Sequence, residues 1–154
     1  MSEPHVFMMG EFAAEVPSDR QYARNHMWAS GDVQILRFGF TSYAVRLLQD
    51  VYFLDWTVAA GTVLRQRQEM GAIESKKAES DLFSPVSGEL RRFNEILLSD
   101  PSTINVDKYG AGWLFEMEFQ PQEGDTELLS PSEYVDHLHA VWEVTQRTIK
   151  GQLN

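Results

Sequence analysis

Between residues 20 and 119 the apolar residues of this 154-residue chain come in short runs, each soon broken by Gly, Pro, Ser or Asx residues. Runs of this length and composition, rich in β-branched and aromatic residues, specify strands. His26–Ala29 and Val33–Phe38 are separated by Ser30-Gly31-Asp32, the composition of a hairpin turn between paired strands. The run from Val51 to Trp56, a turn at Gly61, and the runs Gln68–Ser75, Ala78–Phe83 and Glu89–Phe93 continue the pattern, with Ser84–Gly88 as punctuation and Trp113–Phe119 as a closing strand. The middle of the chain is therefore mainly β.

Helical spacing occurs in two places. Thr41-Ser42 offers side-chain oxygens ahead of Tyr43, Ala44, Leu47 and Leu48, which predicts a two-turn helix near 42–49. Ser130-Pro131-Ser132-Glu133 is a capping box with proline at the first helical position. Behind it Tyr134, Val135, Leu138, Val141, Trp142, Thr145 and Ile149 form one apolar stripe, and Lys150-Gly151 supplies a basic last turn and a C-cap. A C-terminal helix near 131–150, packed on the sheet, is expected. Asn94–Gly112 reads mainly as loop, with a turn of helix at Glu95–Leu98. Residues 1–19, punctuated by Pro4, Gly10 and Pro17, read as a loose arm with one short strand at Val6–Met9, ahead of a single ordered domain spanning 20–154.

Composition excludes several functions. Thirteen basic against twenty-three acidic residues give a net charge of −10, which opposes binding to nucleic acid and favours a basic partner surface. With no cysteine there is no disulfide framework, thiolate metal site or cysteine nucleophile. No segment approaches the ~20 apolar residues that span a bilayer, so no membrane association is expected. Glu3, Glu11 and Glu15 in a start without a basic segment argue against a secretory signal, so a cytoplasmic protein is expected. No phosphate-binding glycine loop or nucleophile motif occurs, and activity by the chain alone is not expected. His137 and His139, two apart on a helix, point to different faces and do not suit shared metal ligation, and His26 reads as a buried hydrogen-bonding residue.

The chemistry concentrates in Glu74-Ser75-Lys76-Lys77-Ala78-Glu79-Ser80-Asp81, followed by Ser84-Pro85-Val86-Ser87-Gly88-Glu89. Alone, a Lys-Lys pair at a polar turn is solvated charge. Between two strands it becomes a candidate for covalent modification, because a hairpin tip is accessible to a modifying enzyme while the sheet beneath fixes where the modified arm begins.

These residues resemble the H protein of the glycine cleavage system, a lipoyl-carrier family. The family's Glu-Ser-Val-Lys-Ala, Ser-Asp and Pro-Val-Ser-Gly-Glu segments correspond to Glu74-Ser75-Lys76-Lys77-Ala78, Ser80-Asp81 and Pro85-Val86-Ser87-Gly88-Glu89. Similarity extends to Tyr22 through His26-Met27-Trp28, to Gly39-Phe40-Thr41-Ser42-Tyr43-Ala44, and to Asn94-Glu95, Pro101, Ile104-Asn105 and Tyr109 through Trp113-Leu114. The resemblance implies a barrel-sandwich hybrid of two small antiparallel sheets. It implies lipoate on Lys77 through an amide, with Glu74, Ser75 and Ala78 as recognition context and Lys76 at the family's valine position. The partners it implies are glycine decarboxylase, aminomethyltransferase, dihydrolipoyl dehydrogenase and a lipoyl-attaching enzyme, and the carrier is their substrate.

Two acids of the family pattern are absent, their places taken by Met27 and Ser42, and Lys108 stands where the family has proline. The resemblance places Met27 and Ser42 near the cleft in which a loaded arm rests, and their loss predicts weaker protection of an aminomethyl adduct. Three readings stay open: a carrier for glycine cleavage, an H-like carrier recruited to another pathway such as sulfur-compound oxidation or lipoyl relay, and an interaction protein that keeps the fold without the cofactor.

Overall fold

The computed structural model describes residues 4–153, with side chains described through residue 146. The strands are β1 (His5–Met9), β2 (Phe12–Val16), β3 (Gln21–Tyr22), β4 (Met27–Gly31), β5 (Ile35–Phe40), β6 (Val51–Trp56), β7 (Val63–Leu64), β8 (Glu69–Ser75), β9 (Glu79–Phe83), β10 (Gly88–Phe93) and β11 (Phe115–Phe119). The helices are α1 (Ser42–Leu48), α2 (Ile96–Ser99), α3 (Thr103–Val106) and α4 (Pro131–Leu153). A six-stranded sheet runs β3-β4-β5-β11-β10-β7, a three-stranded sheet runs β6-β8-β9, and β1-β2 forms a separate hairpin. Every pairing of these strands is antiparallel.

The expected pairing of β4 with β5 is present, with Met27 opposite Phe40 and Gly31 opposite Leu36. The turn is held by Asp32, whose carboxylate accepts from the amides of Gln34 (2.8 Å) and Ile35 (2.9 Å). Those bonds stabilise the anion and hold the Asp32 carboxyl below its usual pKa.

Two cores result. The first gathers inward residues of the two main sheets, among them Phe38, Leu64, Met70, Ile73, Leu90, Phe115 and Met117. The second joins Phe7, Met9, Ala14 and Val16 of the hairpin to Tyr22, Trp28, Tyr43, Leu129, Tyr134 and Leu138. Here the structure departs from the sequence expectation, since residues 5–16 are a paired hairpin and not a loose arm with one strand. Phe7, Met9, Ala14 and Val16 alternate inward, and the two-residue loop Gly10-Glu11 places Gly10 at φ 63°. Alanine at position 14 carries too little hydrophobic signal to reveal that alternation.

The capping box forms as expected. The Glu133 amide donates to Ser130 Oγ (3.2 Å) and the Ser130 amide donates to Glu133 Oε1 (2.8 Å). The helix continues to Leu153, past the expected stop at Lys150-Gly151. The side chains of Ile149 and Lys150 lie outside the described residues. The loop 94–112 contains a second short helix, α3, and is organised by buried Asn94, whose Nδ2 donates to the carbonyls of Ala111 and Trp113 (both 2.7 Å). Among the described residues no helix is long and apolar enough to cross a membrane.

Candidate functional site: the lysine turn

Strands β8 and β9 pair up to Glu74 opposite Glu79, leaving Ser75-Lys76-Lys77-Ala78 as the connection. Ser75 closes it. Its amide donates to the Ala78 carbonyl (2.8 Å), and its buried hydroxyl both donates to that carbonyl and accepts from the Ala78 amide (3.1 Å each). Lys76 and Lys77 are exposed at the tip, and neither ammonium pairs with a carboxylate among the described residues. Glu74 and Ala78 are half-buried beside them.

The tip does not hang free. The Lys76 amide donates to the Asp50 carbonyl (2.8 Å) and the Lys77 amide to the Leu48 carbonyl (3.4 Å), so the turn rests on the chain leaving α1. That chain bends sharply, with Gln49 at φ 59°. Asn105 holds the bend: its Nδ2 donates to the Gln49 carbonyl (2.5 Å) and its Oδ1 accepts from the Val51 amide (2.9 Å). Asn105→Ala leaves those groups without their partner, at a cost of about 1–3 kcal/mol. Hydrogen exchange of the Val51 and Lys76 amides should accelerate in the variant, and unchanged exchange would show that the bend holds itself.

The strands around the turn carry one sign of charge. Strands β6, β8 and β9 contain Asp55, Glu69, Glu74, Glu79 and Asp81 and no basic residue. Phe53, Glu74 and Glu79 form one cross-strand row, and Asp55, Ala72 and Asp81 another. Placing Glu74 opposite Glu79 sets like charges side by side, which disfavours the sheet and gives its surface a negative potential.

The two positions that the resemblance placed at one cleft differ in their surroundings. Met27 is fully buried in the first core, opposite Phe40, because β4 turns that side chain between the sheets. Ser42 is buried at the start of α1, where its amide donates to Tyr109 Oη (2.9 Å), and it lines a surface pocket that Met27 does not reach. Restoring a glutamate at position 27 would therefore place its carboxylate in the first core, not in a cleft beside the turn.

His26 is half-buried with φ 70°, and its Nδ1 lies 2.9 Å from Tyr134 Oη. Tyr134 Oη also meets Thr41 Oγ1 at 2.9 Å, and Thr41 caps α1 by accepting from the Ala44 amide. Burial, with the nearby His137, lowers the His26 pKa to about 4. The unfolded chain, with histidine near 6.5, binds the proton more readily, so stability falls as pH drops from about 6.5 to about 4 and this contribution levels off below. The loss amounts to roughly 3 kcal/mol. Urea midpoints across this range should fall less steeply for His26→Asn, a residue that tolerates the left-handed backbone; parallel profiles would reject the assignment.

His137 and His139 face different neighbours, as expected. His137 Nε2 lies 3.1 Å from the Arg24 carbonyl, while His139 packs edge-on against Phe7. Among the described residues no cluster of three or more His, Asp or Glu side chains is placed to hold a metal.

Known proteins share this sequence and fold. The profile of the family described as Glycine cleavage H-protein matches residues 20–141. The probable glycine cleavage system H protein of Natronomonas pharaonis is 39% identical over 120 residues, which cover 78% of this chain and 94% of the relative. The glycine cleavage system H protein of Carboxydothermus hydrogenoformans is 37% identical over 119 residues, covering 77% of this chain and 91% of the relative. The crystal structure of a glycine cleavage system H protein from Mycobacterium marinum superposes with a TM-score of 0.72 at 34% identity, covering 80% of this chain and 99% of that one. With the profile spanning most of its length and both main sheets, the chain belongs to the glycine cleavage H-protein family.

Proposed function

We propose that this chain is the lipoyl carrier of a cytoplasmic glycine cleavage system, with lipoate attached through an amide to Lys77. The observation that carries this reading is the lysine turn itself: an exposed amine without an ion pair among the described residues, on a tip fixed by backbone bonds to Asp50 and Leu48. The site fits the group, because amidation removes a charge that supports no salt bridge among the described residues. Lipoate supplies two redox-active sulfurs, which this cysteine-free chain lacks.

The chain's own contribution is position and access. Ser75 closes the turn, Glu74 and Ala78 frame the acceptor for the lipoyl-attaching enzyme, and the acidic strands steer encounter. Fixing the arm's root raises its local concentration once glycine decarboxylase, aminomethyltransferase or dihydrolipoyl dehydrogenase has docked. In this reading the protein carries an aminomethyl group and reducing equivalents between those enzymes and catalyses no step alone.

Peptide mass analysis of protein made in a lipoylating host tests attachment: one lipoyl group on the Lys77 peptide is expected, and an unmodified peptide would sink the reading. Glycine-dependent exchange with the decarboxylase, followed by transfer to tetrahydrofolate with the transferase, tests the pathway. Ser42, which stands in place of an acid and lines the pocket beside α1, favours the recruited-carrier reading. A lipoylated protein inert with both enzymes would establish that reading instead.

A further inference from the structure

The second segment that stands out in the sequence, Ser84-Pro85-Val86-Ser87-Gly88-Glu89, begins at the opposite end of the β8-β9 hairpin from the lysine turn, roughly 20 Å away along β8. There it organises a turn. The Ser84 carbonyl accepts from the Arg67 amide (2.9 Å), the Ser84 amide donates to the Gln68 carbonyl (2.8 Å), and Ser87 Oγ accepts from the Gln66 amide (2.9 Å). Gln66 Nε2 donates to the carbonyls of Pro85 (3.2 Å) and Thr126 (2.9 Å), while its Oε1 accepts from the Thr126 amide (2.9 Å). Between this turn and the loop joining β3 to β4 lies a pocket of about 250 Å³, whose lining includes Arg24, Asn25, Gln66, Arg67, Ser84 and Thr126.

Both walls contain backbone that side chains rarely adopt. Of the non-glycine residues described, His26, Gln49 and Arg67 have positive φ, and two of them belong to these turns. In the β3-β4 connection the Ala23 amide donates to the Met27 carbonyl (2.8 Å) and the His26 amide to the Ala23 carbonyl (3.1 Å), which makes a three-residue hairpin loop whose last residue is left-handed. Arg24 and Asn25 form its tip, and Asn25 Nδ2 donates to the Phe83 carbonyl (3.1 Å), tying the loop to β9. In the facing turn the Gln68 amide donates to the Arg65 carbonyl (3.0 Å), and the third residue, Arg67, has φ 75°. Glycine would adopt that angle without strain. Arginine there instead brings a charged side chain to the pocket.

Arg24 and Arg67 are exposed, and neither forms an ion pair among the described residues. At longer range Arg67 acts on Asp125 and Arg24 on Glu133, but neither acid lines the pocket. The Asp125 carboxylate accepts from the Gln122 amide (2.9 Å) and that of Glu133 from the Ser130 amide (2.8 Å). The lining is thus cationic, in a chain of net charge −10. Two guanidinium forks with the Asn25 amide beside them match a group that carries two negative charges and several acceptor oxygens. We propose that this pocket binds a phosphate dianion, free or as the head of a small phosphomonoester, between Arg24 and Arg67. Its volume suits a group of that size, below the ~300–1,000 Å³ of sites for larger ligands. The site is independent of what Lys77 carries.

The test titrates the full chain with inorganic phosphate at constant ionic strength, exchanging it for chloride, and follows the NMR signals of Arg24, Asn25 and Arg67. A saturable shift confined to these residues and their neighbours is expected, with a midpoint of about 1 mM. Acetate, a monoanion, should need roughly tenfold more. Arg67→Gly removes the guanidinium and relaxes the backbone, so it should raise the phosphate midpoint about tenfold without lowering the melting temperature. Arg24→Gln should weaken binding to a similar extent, whereas Arg65→Gln, outside the lining, should leave it unchanged. Glycerol phosphate distinguishes the sources: binding tighter than that of inorganic phosphate assigns the site to a phosphomonoester, and equal or weaker binding assigns it to the free ion. Shifts that fail to saturate, that follow ionic strength alone, or that weaken as much with Arg65→Gln as with Arg67→Gly would overturn the proposal. The wild-type titration needs no variant to fold.

Discussion

Lys77→Arg should give a folded protein that carries no lipoyl group. The side chain is exposed, makes no ion pair among the described residues, and leaves its backbone amide to hold the turn, so the substitution should move stability by no more than about 0.5 kcal/mol. Arginine keeps the positive charge within the acidic sheet but cannot form the amide to a carboxylic cofactor. Intact mass should therefore show complete loss of modification at an unchanged melting temperature, with no support of glycine exchange by the partner enzymes. Lys76→Ala is the matched control. Its ammonium is one residue nearer Ser75, and its amide is directed at Asp50, so it should be modified as fully as the parent protein. Modification lost with Lys76 and kept with Lys77→Arg would exchange their roles.

Tyr134→Ala should be the most destabilising of the single changes considered. Tyr134 is fully buried in the second core and stacks on Tyr22 with ring centres 4.7 Å apart. Its hydroxyl sits between His26 Nδ1 and Thr41 Oγ1. Removal of a buried aromatic ring costs about 3–5 kcal/mol. For a chain of this length that lowers the melting temperature by roughly 10 °C. Tyr134→Phe keeps the ring and loses only the hydroxyl, so a smaller loss of about 1–2 kcal/mol is expected. Calorimetry on the two variants separates packing from hydrogen bonding. Equal losses would mean that the hydroxyl network, not the ring, joins α4 to the body of the protein.

Tyr134 also shows how far the sequence could be read. Its place on the apolar stripe was visible from spacing, and the capping box correctly started its helix. Its partners were not visible, because His26 and Thr41 lie more than ninety residues away and belong to different elements. Strands of five to seven residues with alternating burial, such as β8, were legible. The two-residue strands β3 and β7 were not, since so short a segment carries no period. Gly88 was read as punctuation, yet it opens β10, where a Cβ would collide with the Glu118 carbonyl of β11. The lysine turn stood out by its residue types, whereas its anchors did not. Leu48 and Asp50 act through main-chain carbonyls, which leave no trace in side-chain identity. Asn105 belonged to a matching segment, but its grip on the bend after α1 appears only when residues 49, 51 and 105 are seen together.

The second core has a consequence for biosynthesis. It joins segments far apart in sequence, with β1 packed against α4. A ribosome delivers residues in order, so both main sheets can close while the hairpin still lacks its helical cover. Phe7 and Met9 then await α4, which follows both sheets in the sequence. The strands that hold the lysine turn precede that helix in the sequence, so the turn can form on a nascent chain before α4 docks over the hairpin.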